Sequence, residues 1–227
     1  MKHYKFIALF LSLIIIASVI FLNFKTDKQF VIIVASYNNQ EWYRYNLNSI
    51  FAQTYKNYRV IYIDDCSPDG TGKLVQDYIE SRKMADKVTL IKNESRKGAL
   101  ANHYTAIHMC KNNEIIVCLD GDDWFAHDNV LEYLNNVYQN SSIWLTYSQF
   151  CNWPSGELGW SEEIPQNIIK ENKFREFGFV SPQLRTYYAW LAKLVKKSDL
   201  QTFNGTSWDF FPIAGDVALM FPMLEKE

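Results

Sequence analysis

The chain has 227 residues, of which 48% are hydrophobic and 16% aromatic, enough for one domain with a full core. Its net charge of −2 and pI of about 6.1, with no basic stripe, remove the electrostatic basis for nucleic-acid binding. The cysteines Cys66, Cys110, Cys118 and Cys151 form no CxxC pair, which excludes a cysteine-spaced metal site and favours isolated thiols over a disulfide frame.

The first segment stands apart from the rest. Phe6 to Leu22 is apolar except for Ser12 and Ser18 and follows Lys2, His3 and Lys5. As a helix this stretch reaches roughly 26 Å, near the low end for crossing a bilayer. No small-x-small cleavage site follows it. Residues 1–26 are therefore expected to form one retained N-terminal signal anchor, a transmembrane helix that would make this a single-pass membrane protein. Lys2 and Lys5 on one side and Lys25 and Lys28 on the other leave its orientation open.

From Phe30 short apolar runs alternate with amphipathic stretches. Phe30–Ala35, Arg59–Ile63, Val88–Ile91 and Ile115–Leu119 read as strands, and Glu41–Ala52, Gly72–Arg82, Leu100–Cys110 and Asn129–Tyr138 as the helices between them. This alternation predicts an α/β, Rossmann-like fold: a mainly parallel sheet with helices on both faces. Asn152 to Pro165, with Trp153, Pro154, Gly156, Gly159 and Trp160, reads as a long functional loop. Beyond it the pattern predicts a helix over Pro182–Val195, a turn at Phe203–Ser207 and a helix over Ala214–Glu225.

Ligands of such sheets gather at the carboxyl ends of the strands, and the unusual polar residues fall there. Ser36, Tyr37 and Asn38 leave the first strand with a hydroxyl, a ring and an amide that can hold a nucleoside, or with a helix cap. Asp64 and Asp65 end the second strand; as neighbours in extended backbone they point to opposite sides. Arg96, Lys97 and Gly98 stand before a helix, where an anion is favoured. Ile115 to Leu119 then runs into Asp120, Gly121, Asp122 and Asp123, three carboxylates that repel unless something positive sits among them. Mg²⁺ or Mn²⁺ suits such hard oxygen donors and can share a diphosphate. Trp124, Trp153 and Trp160 are candidate sugar-stacking platforms, and the histidines show no metal spacing.

In their order along the chain these pieces resemble the family 2 glycosyltransferases of GT-A fold, over about Phe30 to Glu225. The matching segments are Val31 to Asn38, Tyr62 to Thr71, Lys97 to Asn102, Leu119 to Trp124 and Gly215-Asp216. The resemblance implies residues 27–227 as the transferase domain, with 30–124 the nucleotide-sugar-binding half and 125–227 the acceptor half. It implies donor contacts from Ser36, Tyr37, Asn38, Asp64, Asp65, Lys97, Gly98, Asp120, Gly121 and Asp122. Asp122 would bind a divalent cation directly, with Asp120 beside it. Asp216 would be the general base of an inverting transfer from a nucleotide-sugar, UDP-linked by expectation, to a carbohydrate, lipid or protein acceptor.

Departures from the family pattern are visible too. Cys66 stands where Gly is frequent, His103-Tyr104 replaces Arg-Asn, and Gly215 precedes Asp216 where Glu is common. The chain ends soon after Asp216 with no Gln-x-x-Arg-Trp element, which leads to the expectation of single-sugar transfer. The alternative is a truncated nucleotide-sugar-binding relative without transfer activity. A phosphoacceptor signalling domain would leave Ser36-Tyr37-Asn38 and Gly215-Asp216 unexplained, and nucleotidyl transfer lacks its Gly-rich phosphate loop.

Overall fold

The structure, a computed structural model, describes residues 26–226. A six-stranded sheet is built from β1 (Phe30–Ser36), β2 (Tyr58–Asp64), β3 (Val88–Lys92), β4 (Ile115–Cys118), β5 (Leu145–Ser148) and β6 (Gln183–Tyr188) in the order β3-β2-β1-β4-β6-β5. The first four run parallel; β6 pairs antiparallel with β4, and β5 antiparallel with β6.

Strand periodicity explains the layers. In β1, Phe30, Ile32 and Val34 face one side, where they pack with Val60, Tyr62, Ile115 and Val117 against α1 (Tyr43–Phe51), α2 (Thr71–Ser81) and α4 (Val130–Val137). Val31 and Ile33 face the other side with Ile61, Ile63, Ile116 and Cys118, against α3 (Ala99–His108), α7 (Ala189–Lys193) and α8 (Gly215–Leu224). Central strands therefore have no polar face, as parallel strands covered twice require. Each fully buried Ile, Val or Phe contributes about 1.5–3 kcal/mol. Two short helices, α5 (Gln166–Glu171) and α6 (Phe174–Phe177), lie before β6, and a hairpin of β7 (Gln201–Phe203) and β8 (Trp208–Phe210) leads to α8.

Three sequence expectations change. Pro182–Val195 is not one helix: residues 183–188 form β6 and only 189–193 are helical. The run Thr186-Tyr187-Tyr188 is β-branched and aromatic, and pairing with β4 overrides the helical spacing. β5, with its irregular register between Thr146 and Ser148, carries too short a pattern to be read as a strand. The third correction concerns the anchor. Among the described residues no helix is long and apolar enough to cross a membrane, and the segment expected to do so lies outside them but for Thr26. The membrane location is withdrawn, because a hydrophobic run near the lower length limit was its whole support.

The amino ends of the strands carry a charge pair of a buried Glu114 and a half-buried Arg59. Glu114, 5% exposed, accepts from Arg59 Nε at 3.0 Å, Arg59 Nη2 at 2.9 Å and the Lys111 N–H at 2.6 Å. Burial pulls its pKa upward, but the Arg59 and Lys111 bonds outweigh burial and hold it below the usual glutamate value. A lowered folded pKa means stability present above the unfolded value of about 4.3 and lost as pH falls through the folded one. In thermal melts the gap between wild type and Glu114→Gln is expected to be widest above about pH 5 and to close toward acid pH.

Candidate active site

At the carboxyl ends of β1, β4 and the facing start of β6 lies a cavity of about 340 Å³. Its walls include Tyr37, His103, Asp120, Asp122, Arg185 and Asp216. Four of the residues singled out in the sequence, Tyr37, Asp120, Asp122 and Asp216, thus meet in one space, although they come from three widely separated segments.

The β4 loop is held from beneath and from the side. Asn46 on α1, fully buried, donates through Nδ2 to the carbonyl oxygens of Asp120 (3.0 Å) and Asp123 (2.8 Å). Gln183, the first residue of β6, donates through Nε2 to the carboxylates of Asp120 (2.8 Å) and Asp123 (2.9 Å). Burial, and after it the charges of Asp120 and Asp122, push the Asp123 carboxyl up to about 6. Asp122 is exposed on the cavity wall. Gly121 is buried because a Cβ there would fall on Asn39 Nδ2 and within 2.8 Å of Ser36 Cβ and Oγ. The β1 and β4 loops touch through this glycine.

Arg185 is the positive partner of these acids. Only 6% exposed, its guanidinium lies 3.6 Å from Asp120 Oδ2 through Nη2 and 3.3 Å from Asp216 Oδ2 through Nη1. Asp216 sits in the first turn of α8, where its Oδ1 accepts from the Val217 N–H at 2.9 Å and benefits from the helix dipole. Gly215 lets α8 approach α3, since a Cβ would come within 2.9 Å of Leu100 Cβ. His103 on α3 completes the ring; burial first, and then Arg185, lower its pKa to about 4 against the pull of Asp120 and Asp216, so it is neutral at pH 7. Beneath it, Cys118 Sγ and the Tyr187 hydroxyl are 3.2 Å apart.

The other predicted residues surround this space without lining it. Ser36 Oγ accepts from Tyr62 OH and Asn39 Nδ2, each at 3.0 Å, and is buried. Asn38 adopts φ 57 and donates its backbone N–H to Ser67 Oγ at 3.0 Å. Asp64 and Asp65 do part company. Asp64 turns toward the first turn of α2, where a Cβ on Gly72 would strike its carboxylate, and its Oδ1 is buried without a hydrogen-bond partner. Asp65 turns toward α3 and accepts from Asn93 Nδ2 (2.7 Å), the Lys97 N–H and the Gly98 N–H (both 2.8 Å). Those bonds outweigh burial and keep its pKa low. The Arg96 guanidinium lies 3.9 Å over the Tyr37 ring. Cys66, at φ 60, occupies the left-handed position that glycine favours, so the turn survives the substitution.

Sequence reasoning missed Gln183, Arg185 and His103. A lone Arg within Leu184-Arg185-Thr186-Tyr187 and a His on the Leu100-His103-Ile107 stripe of α3 were the available signals.

The sequence profile described as Glycosyl transferase family 2 matches residues 31–198. This chain belongs to that family. GlyA, a glycosyltransferase of Streptococcus pneumoniae, is 31% identical over 73% of this chain and 25% of its own length. The Escherichia coli WfgD, a UDP-Glc:alpha-D-GlcNAc-diphosphoundecaprenol beta-1,3-glucosyltransferase, is 27% identical over 76% of this chain and 72% of its own. Among solved structures, S. aureus TarS has a TM-score of 0.61 at 21% identity, over 87% of this chain and 34% of that one; its fragment 1–349 with UDP-GlcNAc gives 0.56 at 21%, over 73% and 46%. The mannosyltransferase PcManGT from Pyrobaculum calidifontis, in complex with GDP-Man and Mn²⁺, gives 0.53 at 18% identity, over 75% of this chain and 47% of that one. These likenesses establish a GT-A-like fold. The chain spans about a quarter of GlyA and about a third of TarS.

The Gly121 contact is directly testable. Gly121→Ala is expected to cost about 1–3 kcal/mol by overpacking against Asn39 and Ser36, read as a lower urea midpoint with unchanged slope.

Proposed function

We propose that the protein is a metal-dependent, inverting glycosyltransferase that moves one sugar from a UDP-linked donor to an acceptor hydroxyl. The observation that carries this is the meeting of Asp120, Asp122 and Asp216 around one cavity. WfgD, a UDP-Glc-dependent glucosyltransferase, and TarS, solved with UDP-GlcNAc, support the UDP-linked donor, and the diphosphoundecaprenol-linked acceptor of WfgD supports a lipid-carried saccharide here.

The residues present suit a divalent cation. Asp120 and Asp122 offer two hard oxygen donors on one cavity wall, which a diphosphate would complement, there being no cluster of three or more such side chains among the described residues. Asp122, with Asp120 beside it, would hold the ion. Bound there, Mn²⁺ or Mg²⁺ supplies charge neutralisation for the leaving diphosphate, as the Mn²⁺ in the PcManGT complex also suggests for that fold.

Residues 30–124 would hold the donor and 125–227 the acceptor. Either of the pair Asp64 and Asp65 would read the donor's nucleobase: among the described residues Asp64 Oδ1 is a buried acceptor without a partner, whereas Asp65 is fastened by Asn93, Lys97 and Gly98. Tyr37 under Arg96 offers a ring for stacking. Ser36, Asn38, Asp64, Lys97, Gly98 and Gly121 would shape the donor loops around those contacts. Asp216 would take the proton from the acceptor hydroxyl as its oxygen attacks the anomeric carbon; the bond to the diphosphate breaks, UDP departs and the configuration inverts. The non-transferring alternative is disfavoured by a carboxylate at the base position facing the same cavity.

Saturating UDP at about a hundred times its Kd adds about 2.7 kcal/mol of stability, a clear thermal shift. That shift is expected to need Mn²⁺ and to vanish in Asp122→Asn; a chain that folds but shows none would overturn the UDP reading. Asp216→Asn is expected to keep the shift while UDP release from UDP-sugars falls by about 100-fold or more. Unchanged turnover in that variant would remove Asp216 from the base role.

A further inference from the structure

We infer that Arg185 is a positioning residue: its guanidinium fixes the separation between the base Asp216 and the metal-loop carboxylate Asp120. The inference rests on the function proposed above for the roles of those two acids, though the contacts themselves do not.

Three features of the site carry it. First, the arginine is committed to this spot. Its side chain is 8% exposed on a central strand, where β6 pairs Arg185 with Cys118 of β4, and a buried cation persists only when paired. Second, the fork is divided. Nη2 faces Asp120 and Nη1 faces Asp216, at 3.6 and 3.3 Å. A planar guanidinium presents those nitrogens at fixed spacing, so it sets a distance between two carboxylates as an ammonium cannot. Third, both carboxylates remain about one-third exposed, at 37% and 32%, on the cavity wall. The far side of each is thus open to a ligand while the near side is held.

The two acids do not depend on Arg185 equally. Asp120 keeps its bond from Gln183, and the loop keeps both bonds from Asn46. Asp216 has, among the described residues, only the cap from the adjacent Val217 N–H besides the arginine. Loss of Arg185 therefore frees the base while leaving the donor side tied. The consequence falls on turnover, since an error of about 1 Å in a reacting group costs about 100-fold.

The test compares wild type with Arg185→Met and Arg185→Lys, measuring UDP release from UDP-glucose and UDP-GlcNAc with Mn²⁺, and UDP affinity by calorimetry. Arg185→Met is expected to lower kcat about 100-fold with UDP Kd within about threefold of wild type, and Arg185→Lys, which keeps the charge but not the fork, to stay at least about tenfold below wild type. A kcat within about threefold of wild type in Arg185→Met, a parallel loss of kcat and UDP affinity, or full recovery of kcat in Arg185→Lys would each overturn the assignment. Thermal melts read the clamp without any donor. Asp216→Asn should lower Tm in the wild-type background and leave it unchanged in Arg185→Met, whereas additive shifts would refute the clamp. Should wild type neither bind UDP nor release it, the donor reading fails, and the melts alone then decide whether the clamp exists.

Discussion

Four carboxylates brought to one end of a sheet are the constraint around which this molecule is arranged. Asp120 and Asp216 pair with the buried Arg185 guanidinium, and Asp122 and Asp123 lie in the same β4 loop as Asp120. Burial, and after it the charges of Asp120 and Asp122, raise the proton affinity of Asp123. The supporting groups are neutral or positive: the Asn46 and Gln183 amides, neutral His103, and Arg185. Gln183 and Arg185 come from β6 of the sheet and Asn46 and His103 from helices packed on it, so the ordinary hydrophobic layers hold the charges in place.

The α/β half was legible because its pattern is long and regular. Runs such as Phe30 to Val34 with no polar position announce a strand covered on both faces, and the helices between them carry clear stripes. The carboxylates were legible as well, being clustered in sequence at a strand end. What escaped was built from single residues. β6 joins directly to α7 with no turn residue between Tyr188 and Ala189, so its six residues read as the start of a helix. Gln183 and Arg185 acquire their meaning only from the antiparallel pairing of β6 with β5 and β4, a long-range event that local spacing does not record. His103 was judged by metal-ligand spacing, whereas its place comes from sharing a helix face with Leu100. The expected anchor failed for another reason: it leaned on hydropathy in a segment beyond the described residues.

Small residues at the site do different work from that suggested by motif alone. Gly121 reads as part of a ligand loop, yet its missing side chain is what allows Asn39 and Ser36 to meet the β4 turn. Gly215 stands where a second acid is common in the family, and it lets α8 close on α3. The adjacent aspartates at the end of β2 likewise divide their labour by strand alternation, one turned under α2 and one fastening the entry to α3.

The antiparallel direction of β6 has a wider meaning. Because that strand enters the site at its beginning, the third wall of the charged centre is sheet backbone, not a connecting loop. The long segment ahead of it leaves Trp153, Leu158 and Trp160 exposed, while the register of Arg185 on Cys118 is set by β4. The charged centre is thereby carried by a ladder of paired backbone, apart from the exposed aromatic rim.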